Sequence, residues 1–573
     1  MLRVNALGEE VRIARDAFGR MVGKDANGRV SSYLYDLNDR LVHADGPDAA
    51  VTLLRDPAGQ VVSETVNDRT TTFTYDAAGR PLSRTTPAGA TSAWTYDGRG
   101  ERAGTRTAGR TLSCTRDAAG QLLSVGVDDA LSLTRAYDSV GRVTAQSVVT
   151  GDGRTVRDRS YRYRADGHLI GIDGPDEPTR TFELDAAGRT TAVRAEDWTE
   201  SYVYGPDGGQ TAADWPVGRS DGAAVGPREG QGTRLVRAGA TRYRYDEQGR
   251  LVRRHRTRLS RKPESWTYAW DAEDRLTSVR TPDGTLWRYR YDPMGRRIAK
   301  ERLGSDGTTV VERTDFTWDG TTLCEQLTAD GSRPHAVAVA WEHDGVRPIS
   351  QSERLLTASH EEIDARFFAI VTDLVGAPTE LVDEDGRLAW QARSTLWGVT
   401  SWDGGSSAYT ALRFPGQYYD PESGLHYNFH RYYDPETARY LSPDPLGLGP
   451  SPNPFLYVLD PLLSADPFGL YEIGKPDPAS QAGNLPLIAD KIAAHGDIKK
   501  RGIPGVDDLD VPEHLEDMMI GSPGLRMRST PSGVPRFAWW DDATGTMLIR
   551  EGDKGTFMQP DDGYEYFLKQ LKE

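Results

Sequence analysis

The chain has 573 residues, too many for one ordinary hydrophobic core, so more than one folded unit is expected. Its net charge of -16, from 69 Lys+Arg against 85 Asp+Glu, argues against a large nucleic-acid-coating surface. Mean hydropathy is -0.59 and no apolar run reaches the length of a membrane helix; the first residues also lack the apolar stretch of a secretory signal.

From the N-terminus, a unit of the form Tyr-Asp-x-x-Gly-Arg recurs. Clear copies are Tyr75-Asp76-Ala77-Ala78-Gly79-Arg80, Tyr137-Asp138-Ser139-Val140-Gly141-Arg142, Tyr245-Asp246-Glu247-Gln248-Gly249-Arg250 and Tyr291-Asp292-Pro293-Met294-Gly295-Arg296. Weaker copies place Asp16, Asp36, Asp56, Asp97, Asp117, Asp185 and Asp271 at the same station, and from Asp16 to Asp138 successive aspartates are 20 or 21 residues apart. A self-similar period of this kind signals a stacked repeat. Each unit reads as a β-hairpin. The run before Asp alternates, as in Tyr243-Arg244-Tyr245, which is the period of a strand with aromatic rings on one face. The Asp opens the turn by accepting backbone N–H groups ahead of it, and Gly supplies the left-handed residue that ends a type I turn with a bulge. One hairpin is marginal alone, so neighbours must stack into a continuous sheet. The Asp and Tyr residues are therefore expected to turn and pack rather than catalyse. The Gly-rich, charged stretch 211–240 is expected to be a surface loop.

The two cysteines, Cys114 and Cys324, are expected to be reduced, half-buried strand residues. No Cys pair has zinc-ligand spacing, so no metal and no cofactor is expected.

Residues 366–470 carry a second signature. Thr372-Asp373-Leu374-Val375-Gly376-Ala377-Pro378 is followed by Trp397-Gly398, Arg413-Phe414-Pro415-Gly416-Gln417-Tyr418-Tyr419-Asp420 and Gly424-Leu425-His426-Tyr427-Asn428-Phe429-His430-Arg431-Tyr432-Tyr433-Asp434. Then come Arg439-Tyr440-Leu441-Ser442-Pro443-Asp444-Pro445-Leu446-Gly447-Leu448, Asn453-Pro454, Tyr457-Val458 and Asp466-Pro467-Phe468-Gly469-Leu470.

These motifs resemble the RHS (rearrangement hotspot) or YD-repeat proteins, a family that includes the C component of insecticidal toxin complexes and the teneurins; 366–470 resembles the RHS-associated core. The resemblance implies a mainly β fold, a YD-repeat spiral β-shell followed by a small α+β C-terminal domain. The expected divisions are a repeat shell at 1–365, shortened at its N-terminal end because the chain begins inside a repeat, the core at 366–470, and a variable toxin domain at 471–573. It further implies cleavage after the terminal Asp-Pro-x-Gly-Leu, here between Leu470 and Tyr471. The implied chemistry is that of an aspartic protease acting on its own chain: two carboxyl groups held close cannot both ionise, so one keeps a proton while the other activates water. By motif, the acids are Asp444 and Asp466 and the cation is Arg431. Many members of the family carry Asn-Pro where this chain has Asp460-Pro461, a third aspartate able to serve a turn or to enter the acid pair.

After Leu470 the repeats stop. Residues 474–483 suit a linker, and helices are expected at 485–494, at 511–519 (with Pro512 at its start) and at 564–571. Strands are expected at 536–540, 546–550 and 555–558, the first two joined by the turn Asp541-Asp542-Ala543-Thr544-Gly545. This layout resembles the ribonuclease superfamily that includes barnase, colicin-type tRNases and RelE-like toxins. Metal-free RNA cleavage needs an acid or base near neutrality and cations at the phosphate. His495 and His514 are the candidates for the first; Arg526 and Arg528, with Arg536 and Arg550, for the second; Ser529, Thr530 and Thr556 would orient a phosphate, and Trp539 or Trp540 would stack a base. Residues 471–573 hold 12 Lys+Arg against 18 Asp+Glu, a net charge of -6, so an RNA site would need its cations gathered locally, at Lys499-Lys500-Arg501 or around 526–536. Two other readings stay open. The order Arg528, Ser529-Thr530, Glu565 follows that of ADP-ribosyltransferases, and a YD-repeat chain could be a non-enzymatic cell-surface adhesion protein. The toxin reading implies a cognate immunity protein, the shell holding its own C-terminal domain, RNA as substrate, and delivery into a target cell by a dedicated export system from the cytoplasm of the producer.

Overall fold

The computed structural model describes residues 2–470, except 176, 217, 219–221, 259–261 and 449–450, and beyond 470 the backbone of 525–526, 536–541, 546–551 and 554–558. The helices expected at 485–494, 511–519 and 564–571, the linker, and His495, His514, Arg528, Ser529, Thr530 and Glu565 lie outside the described residues. Contacts divide the chain into two units, Met1–Glu472 and Ile473–Glu573.

In the first unit, 37 strands from Leu2–Val4 to Thr400–Trp402 form one sheet. Every strand runs antiparallel to the one before it in sequence, as successive hairpins require.

The turn at Asp76 shows why the repeat is written as it is. Asp76 N–H donates to the Arg80 carbonyl (3.0 Å), and Gly79 N–H donates to the Asp76 carbonyl (3.1 Å) with Gly79 at φ +86°. Asp76 Oδ1 accepts the N–H groups of Ala78 and Arg80, both at 2.9 Å, and Oδ2 accepts Arg80 Nε at 2.7 Å. One carboxylate thus satisfies the turn's inward donors and the Arg that ends the motif. The pairing slips by a residue between Thr74 and Tyr75, the bulge that this turn demands.

Two further contacts join the Tyr-bearing hairpins to their neighbours. Tyr75 Oη donates to the Val61 carbonyl (2.8 Å), the first residue of the strand Val61–Val66. Tyr137, Tyr204 and Tyr291 repeat this with Leu122, Thr190 and Leu276. The motif's Arg lies over the Tyr of the next such hairpin, 4.7 Å for Arg80 on Tyr96 and 4.9 Å for Arg142 on Tyr163. The repeated Tyr therefore packs and also fixes the spacing of consecutive hairpins.

The sheet coils so that early strands lie against strands more than 200 residues later. Tyr33 Oη donates to the Pro293 carbonyl (2.9 Å), Arg84 Nη2 to Glu342 Oε1 (2.7 Å), Arg102 Nη1 to the His343 carbonyl (2.8 Å) and Gln146 Nε2 to the Thr372 carbonyl (3.2 Å). This superposed winding is the spiral of a YD-repeat shell. Strands of the later winding, such as Arg297–Leu303, are buried on both faces, and one core cluster runs from Tyr161 to Val458. The sheet passes residues 365–366 without a break, inside the strand Glu362–Thr372.

The stretch 211–240 is not a loop. It contributes Gly226–Gln231 and Arg234–Ala238 to the sheet, and Trp215, Ala224, Leu235 and Ala238 are buried. Its glycines mark tight turns between short strands, while Arg234-Leu235-Val236-Arg237 carries the alternation. Cys114 and Cys324 are both free and buried, Cys324 completely.

Beyond Trp402 the chain forms a second sheet of four short strands: Tyr418–Asp420, Leu425–Asn428, Arg431–Asp434 and Arg439–Tyr440. A buried ion cluster fixes it to the large sheet. Arg297 meets Asp420 through two nitrogens at 2.6 and 3.1 Å, and Lys300 Nζ reaches Asp420 and Glu422 at 3.2 and 3.1 Å. Tyr427 and Phe316 face the Arg297 guanidinium at 4.2 and 4.8 Å. Charge pairing and ring contact offset the desolvation of a cation that is 1% exposed.

In the second unit the described strands Leu525–Arg526, Arg536–Asp541, Thr546–Glu551 and Lys554–Met558 form an antiparallel meander. Three of them match the strands expected there, and Leu525–Arg526 is additional. Among the described residues no helix is long and apolar enough to cross a membrane.

Candidate active site

Arg431 opens the third strand of the small sheet, where Phe429 (φ +48°) and His430 turn the chain back from Leu425–Asn428. The turn points the guanidinium at the two aspartates that follow. Asp444 comes just after Arg439–Tyr440, in the proline-flanked turn Pro443-Asp444-Pro445. Asp466 begins the terminal motif. The three side chains converge: Arg431 Nη2 stands 2.8 Å from Asp444 Oδ2 and 3.4 Å from Asp466 Oδ2. Exposure is 2% for Arg431, 8% for Asp444 and 1% for Asp466.

The same guanidinium holds the end of the shell chain. Arg431 Nε donates to the Gly469 carbonyl and Nη1 to the Pro454 carbonyl. Asp466 Oδ1 accepts the N–H groups of Gly469 (2.8 Å) and Leu470 (3.0 Å), and His430 N–H donates to the Phe468 carbonyl (3.1 Å). The backbone leading to Leu470 is therefore held by the Arg431 and Asp466 side chains and by the His430 backbone.

Two residues that the sequence reading did not single out complete the site. Tyr440 Oη donates to Asp466 Oδ2 at 2.7 Å, and the Arg431 guanidinium stacks on the Tyr440 ring at 3.6 Å. Asn428 Nδ2 donates to Tyr440 Oη (2.7 Å) and to the Asp466 carbonyl (2.8 Å). Both lie in the quoted motifs, Asn428 three residues before Arg431 and Tyr440 after Arg439. No spacing rule brings them together; the fold does.

Burial disfavours the charged form of both acids. It pushes Asp444 up to about 6 against the pull of Arg431, and it pushes Asp466 up against the donors around it. His430 is an exposed residue of the turn; desolvation on its inner side and the neighbouring Arg431 push its imidazole down to about 4, so it is neutral at physiological pH. Asp460 closes a turn: its Oδ1 accepts Leu462 N–H (3.1 Å), and its carbonyl accepts Leu463 and Ser464 N–H. Of the residues proposed for the C-terminal domain, Arg526 pairs with Phe537 across the first two strands and Thr556 with Ile549 across the last two.

The family model for the RHS Repeat matches residues 55–91 and 270–309, and that for the Teneurin YD-shell matches 354–448, which spans Arg431 and Asp444. Among curated proteins, "Probable deoxyribonuclease RhsA" of Dickeya dadantii is 33% identical over 379 residues, 63% of this chain and 24% of that protein. "Toxin protein Tse5" of Pseudomonas aeruginosa is 33% identical over 398 residues, 60% of this chain and 29% of that one. "Double-stranded DNA deaminase toxin A" of Burkholderia cenocepacia is 31% identical over 363 residues, 59% and 24% respectively. The matched part thus spans only 24–29% of the length of these relatives. Among solved structures, a Photorhabdus luminescens Tc holotoxin pore superposes with a TM-score of 0.66 at 18% identity, covering 82% of this chain and 26% of that one. The TcdB2-TccC3-Cdc42 crystal structure gives a TM-score of 0.63 at 17% identity, covering 80% and 27%, and these likenesses concern the fold. Repeat, spiral sheet and family matches agree: the chain carries RHS repeats and a YD-shell segment and is similar to the RHS/YD-repeat toxins.

Proposed function

We propose that this chain is the shell-and-payload portion of a polymorphic toxin, and that it cuts itself between Leu470 and Tyr471 to free the domain at 471–573. The observation that carries the reading is the shared Arg431. It bridges the carboxyl groups of Asp444 and Asp466, while Asp466 holds the N–H of Leu470, whose carbonyl would be attacked. Two carboxyls on one guanidinium nitrogen are close enough that one retains a proton. In the reaction, water oxygen bonds to the Leu470 carbonyl carbon as the bond to the Tyr471 nitrogen breaks. The ionised carboxylate accepts the water's proton and its protonated partner gives a proton to the leaving nitrogen. The toxin names of the curated relatives support the reading.

Intact mass of the full chain tests it, with Asp444→Asn and Asp466→Asn as controls and without acid, because Asp-Pro bonds hydrolyse there. A fragment beginning at Tyr471, lost in both variants, supports self-cleavage; an uncut parent chain overturns it.

For the freed domain the reading is a metal-independent ribonuclease, with His495 and His514 as acid and base, Arg526 and Arg528 at the phosphate and Thr556 orienting it. The support is the strand order of the meander. Two of the curated relatives are named for action on DNA, which makes DNA the second substrate to test. Incubation of the freed fragment with RNA, and separately with DNA, decides between them by which polymer is altered. A cognate immunity protein covering the payload and delivery by a dedicated export system belong to the same proposal.

A further inference from the structure

Asn428, Tyr440 and Asp466 form a directional relay. The Asn428 amide cannot be turned over, because its Nδ2 donates to the Asp466 backbone carbonyl, which only accepts. The second hydrogen of that NH2 group points at Tyr440 Oη, so the phenol oxygen accepts there. The phenol's own hydrogen is then directed to Asp466 Oδ2. Asn428 Oδ1 is buried without a partner among the described residues, so the amide is held for what its NH2 group does and at a cost to the fold.

Count the donors on each acid. Asp466 takes Gly469 N–H, Leu470 N–H, Tyr440 Oη–H and Arg431 Nη2. Asp444 takes Leu446 N–H (2.8 Å) and Arg431 Nη2. Donors favour the ionised form. Resting on the self-cleavage reading above, we infer that Asn428 and Tyr440 are positioning residues that hold Asp466 as the ionised member of the pair, so that Asp444 carries the proton delivered to the leaving nitrogen. The balance of the step is unchanged: Asp466 takes the proton of the attacking water and Asp444 gives up its own. Among the described residues, the titratable and charged groups placed against Asp466 include Arg431 and Tyr440 from the small sheet, Asp444 from the turn after it, and Tyr457, whose Oη lies 3.4 Å from Asp466 N; His430 adjoins Arg431.

The test is the pH profile of cleavage in the full chain, labelled in a short cell-free translation and transferred to a series of buffers. Tyr440→Phe keeps the ring under Arg431 and removes only the O–H. Loss of one hydrogen bond to a charged group moves the acidic limb of the profile upward by about one to two pH units. The alkaline limb, set by Asp444, stays in place. Asn428→Asp offers the phenol a competing acceptor and moves the same limb the same way. Protease resistance of the uncut chain, equal to the parent's, shows that the variants fold. Both limbs unmoved, or a rate lowered equally at every pH, overturns the inference while leaving self-cleavage intact. An unprocessed parent chain overturns the reading on which it rests, a separate result.

Discussion

Gly469 packs its bare α-carbon against the Asn428 carbonyl: a β-carbon there would stand 2.6 Å from that oxygen, and the residue sits at φ +72°. Arg431 N and Cβ would lie at 3.2 and 3.3 Å from the same added atom. Gly469→Ala is therefore expected to lift Gly469 and Leu470 away from Asp466 while leaving the distant sheet unchanged. A displacement on the ångström scale at a reacting group costs about a hundredfold in rate. The time course of Tyr471-fragment release checks this; release at the parent rate would mean that the strapped geometry is not the reactive one.

In the proposed self-cleavage, Asp444 would give a pH dependence with a definite sign. Burial raises its carboxyl to about 6, so the proton-carrying form is lost as pH rises through that value. Cleavage by the parent chain should fall on the alkaline side of about pH 6. The same shift acts on stability. The fold favours neutral Asp444, so this group's stabilisation is complete below the ordinary carboxylate value, 3.8, and is lost as pH rises from there through about 6. Asp444→Asn, neutral throughout, should show a denaturation midpoint with less dependence on pH across that window. An unaltered dependence would assign the titration to another group.

The turns of the repeat and the residues of the acid cluster were legible in the sequence, for different reasons. Asp-x-x-Gly-Arg is a local device, each donor and acceptor within four residues, so the spacing alone dictates Asp76 bonding Ala78 and Arg80. Arg431, Asp444 and Asp466 are legible only through a shared motif, because 35 residues separate the first from the last. The Tyr75 bond to Val61 was hidden. It crosses from one hairpin to the last, and no property of Tyr75 names its acceptor. Tyr440 and Asn428 were hidden in the same way, since their roles depend on two strands of the small sheet meeting the terminal motif. The stretch 211–240 was misread because glycine at short-strand turns has the same composition as a loop.

Position in the winding should set the weight of identical motif pairs. Asp292 and Arg296 are 0% and 5% exposed, whereas Asp16 and Arg20 are 21% and 24% exposed with the same geometry. Asp292→Ala leaves the N–H groups of Met294 and Arg296 without their acceptor and breaks a buried pair, an expected loss of about 3–5 kcal/mol. Asp16→Ala leaves groups that water can reach and should leave the denaturation midpoint where it is. Chemical denaturation of the two variants compares them directly. Equal losses would mean that the turn itself, and not its burial, limits stability.

The strap that precedes Leu470 predicts a catalyst that works once. Phe468 C=O on His430, Gly469 C=O on Arg431, and the Gly469 and Leu470 N–H groups on Asp466 are all bonds to residues on the N-terminal side of the cut. None of them is broken by hydrolysis at Leu470. Gly416 lies so close to Pro467 that an added β-carbon would overlap the Pro467 carbonyl, so the strap is also packed at Pro467. On the proposed self-cleavage, the cut shell should keep its own product in the site and deny a second chain access to the acids. Mixing cut shell with an uncut Asp466→Asn chain should leave the latter whole at any ratio. Release of its Tyr471 fragment would show that the strap exchanges, and that the acids can serve a substrate other than the chain that carries them.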